Sequence, residues 1–251
     1  MKTNKYQTNY SELYSHEISD DSREAKALKT LSVVNDYFKE ALSTVNVLEV
    51  GCFTGAIGLS IAKNFKTYTA IDIDQNSINI ANSRNINLNE NLNFAVMNAE
   101  SLSYKDNEFD LVICSHVYEH VPVPRRMMDE IYRVLKKDGV CYFAAGNKLN
   151  IIEPHYRLPF LGILPRKLAV IYLRLSGRGT YYYETHLYLH ALKKLVNKFE
   201  MVDYTVKILR DPKKYHACDL LQEGSIKQSL AVFIAKFFYW LVPTYIWMLK
   251  K

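Results

Sequence analysis

The ten residues Val47-Leu48-Glu49-Val50-Gly51-Cys52-Phe53-Thr54-Gly55-Ala56 place an apolar run, a carboxylate and two turn glycines in a spacing that suits a nucleotide-like ligand. Val47, Leu48 and Val50 read as a buried parallel strand, and Gly51 and Gly55 let the backbone turn tightly and approach a ligand. Turns of this kind also bind NAD, FAD and phosphates, where G-x-G-x-x-G spacing is wanted; here the glycines are Gly51, Gly55 and Gly58. Glu49, two positions before the first glycine, would repel a pyrophosphate and favours a ligand with a positive centre. S-adenosylmethionine, with its ammonium and sulfonium, is such a ligand. A plain tight turn is the alternative for this stretch alone.

Three further groups carry chemistry. Asp72 lies 21 positions after Gly51 (72 − 51), at the end of a second strand, where a carboxylate can accept from both ribose hydroxyls. It reads otherwise as a strand-end carboxylate or cap, a role that Asp74 fits better. Ser115-His116-Val117-Tyr118-Glu119-His120-Val121 follows a fourth strand, at the edge where open α/β sheets bind ligands. His116 is placed to contact cofactor or acceptor, while Glu119 and His120 order that loop; a structural hydrogen bond is the competing role for either histidine. Glu153-Pro154-His155-Tyr156-Arg157-Leu158-Pro159 packs polar groups between prolines. Arg157 suits a carboxylate or phosphate, and His155 or Tyr156 can orient or deprotonate an acceptor hydroxyl, against the alternative of an ion-paired loop anchor. Tyr181, Tyr182, Tyr183, Glu184 and His186 extend the same side. No metal is assigned.

The elements that must position these groups alternate. Helices are predicted over 22–42 (capped by Asp20, Asp21 or Ser22), 56–65, 75–88 and 124–135, and strands over 47–50, 67–72, 93–97, 109–114 and 140–145. Such alternation implies right-handed βαβ crossovers and a mostly parallel sheet covered on both faces. The expectation is an α/β, Rossmann-like, doubly wound sheet of seven strands in one domain over 1–251, divided into a leader and helix (1–44), a cofactor core (45–150), an inserted lid or substrate wall (151–190) and closing elements (191–251). After Gly146, prolines 154, 159 and 165 break the rhythm ahead of a helix over 166–175; 188–199 reads as a helix, 201–209 as a strand and 210–224 as a loop. The tail from Ser229 to Leu249 has Lys236 as its single charge. Pro243 divides it into a hydrophobic C-terminal helix over 226–242 and a strand over 245–249, expected to pack in the core; an interfacial helix carrying Phe237, Phe238, Tyr239 and Trp240, or a true span, are the alternatives.

Bulk properties narrow the partners. A formal net charge of +6 is mild and spread over the chain, so nucleic acid is not expected as a partner. The four cysteines stand apart, with no C-x-x-C pair, as free thiols do in a reducing compartment. The first 21 residues contain no apolar signal segment, which points to the cytoplasm, with a peripheral position on the inner face of the membrane if the aromatic tail meets lipid.

Taken in order, Glu49-x-Gly51-x-x-x-Gly55, Ala70-Ile71-Asp72, Asn98-Ala99-Glu100 and Glu119-His120-Val121 resemble the class I S-adenosylmethionine-dependent methyltransferases, nearest the type 11 group related to ubiquinone and menaquinone biosynthesis. The resemblance covers about 45–150 and implies S-adenosylmethionine as cofactor, met by Glu49, Gly51, Cys52, Phe53, Gly55, Asp72, Ile73, Asn98, Ala99, Glu100, Ser115 and His116. It departs at Asn98, where the family usually has an acidic residue facing the adenine amino group, and at Phe53, where glycine is usual. The function expected is methyl transfer to a small or amphiphilic acceptor such as a lipid, quinone precursor or lipid-linked glycan. His116 and His155 are the candidate acid–base groups, and His120, His155, Tyr156, Arg157 and Tyr183 the acceptor side. The rivals are a cofactor-binding scaffold without turnover and an NAD(P)-dependent oxidoreductase.

Overall fold

Four crossovers bring the ends of five parallel strands to one edge of a seven-stranded sheet. The strands are β1 (Asn46–Val50), β2 (Thr67–Asp72), β3 (Leu92–Val96), β4 (Phe109–Ser115) and β5 (Leu135–Gly146), joined by β9 (Thr244–Lys250), which runs antiparallel to β5, and by β8 (Glu200–Asp203), which pairs antiparallel with β9 and so runs in the direction of the five. Their order is β3-β2-β1-β4-β5-β9-β8, and a two-stranded hairpin, β6 (Ile152–Glu153) and β7 (Leu158–Pro159), stands apart. The computed structural model describes residue 8 and residues 21–251. The expected polar leader, the cap candidate Asp20 and the side chains of Asp21 and Ser22 lie outside the described residues.

The period of two along each strand decides the layers. On β5, Cys141, Phe143 and Ala145 join one core with Met127, Met128 and Ile131 of α4 (Pro124–Val134), while Val140, Tyr142 and Ala144 join the opposite core. That second core includes Ala27, Val33 and Val34 of α1 (Asp21–Phe38) and Ile61 of α2 (Ala56–Ile61). With α3 (Gln75–Arg84) after β2, the sheet is covered on both faces, as expected of central strands that read as continuous apolar runs.

Several boundaries move for local reasons. The helix expected over 22–42 ends at Phe38, because Lys39 takes a φ of 56° and its N–H returns to the Asn35 carbonyl. The helix expected over 75–88 ends at Arg84, where the Asn85 side chain bonds the Leu92 and Asn89 carbonyls. The one over 56–65 turns 3-10 after Ile61, and the one over 188–199 shortens to α6 (Leu189–Leu195). The strand expected over 201–209 stops at Asp203, whose Oδ1 accepts from the Thr205 N–H at 2.8 Å and starts α7 (Thr205–Arg210). Thr205 and Ile208, three apart, are buried there: alternation and helical spacing coincide over so short a run. In the insert, α5 (Arg166–Leu175) forms as expected.

The tail departs more. The helix expected over 226–242 ends as α8 (Ile226–Phe237), and of its residues only Ala235 is buried. Ile226, Leu230, Phe233 and Phe237 are 88, 56, 52 and 58% exposed, so α8 is not the core helix expected. No helix among the described residues is long and apolar enough to cross a membrane. The final strand is the core element instead: β9 lies between β5 and β8 with Tyr245, Trp247, Met248 and Leu249 fully buried. Cys52, Cys114 and Cys141 are buried and Cys218 is exposed, all as free thiols.

Candidate active site

The glycine turn is fixed by the neighbouring strand. The N–H groups of Gly51 and Cys52 donate to the Ile71 carbonyl at 2.8 and 3.0 Å. The Phe53 N–H donates to Asp72 Oδ2 at 2.8 Å, and the Asp74 N–H donates to Asp72 Oδ1 at 2.9 Å. Each Asp72 oxygen therefore keeps a lone pair for a second donor. Gly51 has a φ of 70°, and a Cβ added there would stand 2.6 Å from Val117 Cγ2, so only glycine fits. Phe53 has a φ of 50°, the left-handed region, which gives a physical reason for glycine at this position in the resembling family. The side chain is held by burial and by the Arg23 guanidinium, 4.3 Å from the ring centroid.

In front of this edge lies a cavity of about 840 Å³. Gly51, Phe53, Asp72, Ile73, Asn98, Ala99, Ser115 and His116 line it, eight of the twelve residues expected on the cofactor side. The other four stand behind the wall. Cys52 is buried with its thiol on the Phe53 carbonyl, and Gly55 packs so closely on Phe94 that a Cβ would lie 2.5 Å from that ring. Glu100 Oε1 accepts from the Val123 N–H at 2.8 Å, tying two loops. Asn98 lines the cavity, but its Oδ1 already accepts from the Glu100 N–H at 2.9 Å.

Glu49 is the larger correction. It is 2% exposed, outside the cavity lining, and its Oε2 accepts from Tyr68 Oη at 3.0 Å. Burial pushes its carboxyl up to about 8, against the lowering effect of the Tyr68 and Gly58 hydrogen bonds. At neutral pH it is mostly protonated and locks the turn onto β2, rather than presenting a negative charge at the cavity wall.

The far wall is built by the loop after β4 and by the insert. His116 has a φ of 57°, which turns the chain sharply after Ser115, and its Nδ1 stands 3.5 Å from Glu119 Oε1. The insert is pinned to this loop: the Thr185 N–H donates to the Glu119 carbonyl at 2.9 Å, and the Leu187 N–H to Tyr118 Oη at 3.0 Å. These bonds bring Glu184 and His186 beside His120. From the β6–β7 hairpin, Glu153 Oε1 meets His155 Nδ1 at 2.8 Å and His186 Nε2 at 3.2 Å. Glu119, His120, His155 and His186 all line the cavity.

Electrostatics within the cluster are strongly perturbed. Burial would push Glu119 up, but His116, with His120 and His186, outweighs it and holds the carboxyl at about 2. Burial would likewise raise Glu153, and its hydrogen bonds to His155 and His186 bring it to about 2. His155 is depressed by burial yet raised to about 9 by Glu153, Glu184 and Glu119, whereas burial and the His155 charge push His120 down to about 3.

Three residues expected on the acceptor side stand off the cavity. The Tyr156 N–H is taken by Glu153 Oε2 and its hydroxyl donates to the Tyr181 carbonyl. Arg157 is exposed with a φ of 52°, its carbonyl accepting from Arg178. Tyr183 packs on Tyr181 with centroids 4.7 Å apart. Conversely, Arg23, Lys26 and Lys29 of α1 line the cavity and were not anticipated, because they lie on a helix read only for its apolar face. The Glu153-x-His155 and Glu184-x-His186 repeats were the legible signal for the buried cluster.

Comparison with known proteins agrees with this geometry. A family model described as a methyltransferase domain matches residues 48–143. The ubiquinone/menaquinone biosynthesis C-methyltransferase UbiE of Rickettsia prowazekii is 33% identical over 130 residues, covering 48% of this chain and 52% of that protein. A ubiquinone biosynthesis O-methyltransferase of Coxiella burnetii is 28% identical over 130 residues, covering 49% and 56%. The chain thus spans about half the length of the curated relatives it matches. A solved SAM-dependent methyltransferase structure from Methanosarcina mazei, 24% identical, superposes with a TM-score of 0.51 over 68% of this chain and 85% of that one, a likeness of fold. Residues 48–143 thus form a methyltransferase domain similar to that of the class I S-adenosylmethionine-dependent methyltransferases of the type 11 group, a likeness that the strand order and the glycine turn share.

Proposed function

We propose that the chain transfers the methyl group of S-adenosylmethionine to an acceptor held in the same cavity. The observation that carries this reading is the continuity of one space of about 840 Å³ from the Gly51–Asp72–Asn98 edge to the His120–His155–His186 wall. The cofactor fits that edge: Gly51 leaves room no other residue would, and Asp72 keeps two lone pairs for the ribose hydroxyls. S-adenosylmethionine supplies a methyl on a sulfonium, whose C–S bond breaks as the acceptor lone pair bonds to carbon.

The protein then has to align the two reactants, which is worth roughly 7–11 kcal/mol, and to remove a proton from a hydroxyl or amine acceptor, worth about 10²–10⁴ in rate. His116 holds the position between the two halves, its Nδ1 oriented by Glu119, and serves as the base. The C- and O-methyltransferases of quinone biosynthesis among the relatives support an amphiphilic acceptor of that class; a lipid-linked glycan shares its chemistry.

Calorimetry against S-adenosylhomocysteine and NADH tests the site, and a preference for NADH overturns it. Labelled methyl donor incubated with cell extract tests turnover; tight S-adenosylhomocysteine binding with no labelled product in any extract supports the scaffold reading instead. The exposed apolar residues of α8 favour action at a lipid surface. Because β9 is part of the sheet, the test is Phe233→Asp with Phe237→Asp rather than truncation: liposome association should fall while S-adenosylhomocysteine binding persists, and equal association by both proteins refutes it.

A further inference from the structure

The cluster on the acceptor wall contains more ligand chemistry than a single proton transfer needs. Three elements distant in sequence contribute to it: the loop after β4 gives Glu119 and His120, the β6–β7 hairpin gives Glu153 and His155, and the segment before α6 gives Glu184 and His186. His120, His155 and Glu184 bring one ligand atom each to within 4.8 Å of one another, and Glu153, His155 and His186 do the same. The carboxylate side chains of Glu153 and Glu184 are 1% and 0% exposed. Two observations go beyond side-chain pairing. Glu119 Oε2 and His186 Nδ1 are buried with no hydrogen-bond partner among the described residues, and Glu119 Oε1 has the His116 Nδ1 ion-pair contact at 3.5 Å. They flank Gly146, where a Cβ would meet His186 Nδ1 at 3.3 Å and Glu119 Oε1 at 3.9 Å, so the missing side chain leaves the space between them open.

We propose that His120, His155 and Glu184 bind a divalent transition metal ion, with Glu153 as the carboxylate that orients His155. A tetrahedral ion with bonds of about 2.0–2.2 Å holds its ligands roughly 3.3–3.6 Å apart. His120 Nδ1 and Glu184 Oε1 are already 3.8 Å apart. His155 Nδ1 meets Glu153 Oε1 at 2.8 Å, so an ion bound at Nε2 would displace the ring's second proton and complete a carboxylate–histidine–metal arrangement of the kind that backs metal-binding histidines. Two imidazoles and a carboxylate suit zinc, iron(II), cobalt or manganese rather than calcium or magnesium. Three protein ligands leave coordination positions free, and because His120 and His155 face the cavity, those positions face the acceptor. The ion there takes an oxygen of the acceptor as its further ligand and fixes it opposite the cofactor edge. That role rests on the methyl-transfer reading; the binding of the ion does not.

The test uses the full chain, stripped with chelator and titrated with Co²⁺, whose visible absorption reports nitrogen and oxygen ligation, with Zn²⁺ as competitor. One equivalent should bind, with bands displaced by Zn²⁺. His120→Ala, His155→Ala and Glu184→Gln should each weaken binding by well over 100-fold, and Glu153→Gln, which keeps all three ligands and alters only the partner of His155 Nδ1, by about 10–100-fold. His190→Ala, at an exposed site on α6, should bind as the parent does. S-adenosylhomocysteine calorimetry on every variant separates a lost metal site from a lost fold, and failure of that calorimetry in the parent would refute the cofactor reading and leave the metal result standing. Independently of any variant, Co²⁺ should broaden the ring signals of at least two histidines in the parent protein. Absence of stoichiometric binding, unbroadened histidine signals, or variants that bind as tightly as the parent would each overturn the proposal.

Discussion

Glu49 gives the sharpest quantitative test, because a buried, neutral carboxyl makes stability depend on pH in a direction opposite to an ion-paired one. Its folded value of about 8 lies above the ordinary 4.5. Between those pH values the folded state keeps a proton that the unfolded chain has released, so the stability Glu49 contributes is complete below about pH 4.5 and is lost as pH rises towards 8. Each pH unit in that window is worth about 1.4 kcal/mol, giving a total of about 3–5 kcal/mol. Glu49→Gln is nearly isosteric, keeps an oxygen for Tyr68 and Gly58, and does not titrate. Urea unfolding of both proteins at intervals from pH 5 to pH 9 should therefore show the parent losing stability relative to the variant with a slope of about one proton, levelling above pH 8. Common contributions, including that of His155, cancel in the difference. Parallel curves, within about 0.5 kcal/mol, would show that Glu49 stays ionised when buried, and would restore it as a counter-charge for the cofactor.

Other outcomes follow from single contacts. Asp72→Ala should weaken S-adenosylhomocysteine binding by about 100-fold or more in calorimetry, since two bonds to a charged acceptor are worth about 1.5–3 kcal/mol each; unchanged affinity would place the ribose elsewhere. Phe53→Gly relieves a left-handed residue by about 1–2 kcal/mol but empties a buried ring site worth about 3–5 kcal/mol, so urea unfolding should show a net loss of about 1–4 kcal/mol despite the glycine-like φ. Trp247→Ala removes the largest fully buried side chain, with its Nε1 donor to Tyr239 Oη, and should cost about 3–5 kcal/mol by the same measurement, a penalty an exposed tail residue would not show.

The Gly51–Asp72 edge of the cavity was legible because its residues are local. A parallel strand, the turn after it and the first residue of the next loop lie within a few positions of one another, and β pairing of Val50 with Ile71 and Cys114 carries that local order across the sheet. What the sequence concealed was which way each side chain points. Glu49 and Gly51 are two apart on one strand and turn, yet one is sealed behind Tyr68 and the other borders the cavity. A change of burial also reverses the chemistry: the same carboxyl that reads as a charge in sequence is neutral at pH 7 once desolvated. The tail was misread for a related reason, since hydrophobicity tells that a segment avoids water or meets another apolar surface, not which of its two halves enters the core. Pairing decided that: β9 has strands on both sides, and α8 has a single buried residue.

The far wall of the cavity is assembled at long range, from two repeated pairs. Glu153-x-His155 and Glu184-x-His186 are 31 positions apart (184 − 153), yet His186 Nε2 reaches Glu153 Oε1 at 3.2 Å. That meeting depends on the segment 185–187 running beside the end of β5, where Asn147 bridges Leu187 and its side-chain amide donates to the Trp240 and Val242 carbonyls. The last turn before β9 thereby supports the wall of the site through one asparagine. Within this buried set of three carboxylates and three imidazoles, the pairs His120–Glu184, His155–Glu153 and His186–Glu153 match charge with charge, while His186 Nδ1 is left without a hydrogen-bond partner among the described residues. Of this cluster, Glu119 and His120 lie within the matched stretch 48–143, and Glu153, His155, Glu184 and His186 lie beyond it, so sequence likeness to known proteins reaches only the first pair.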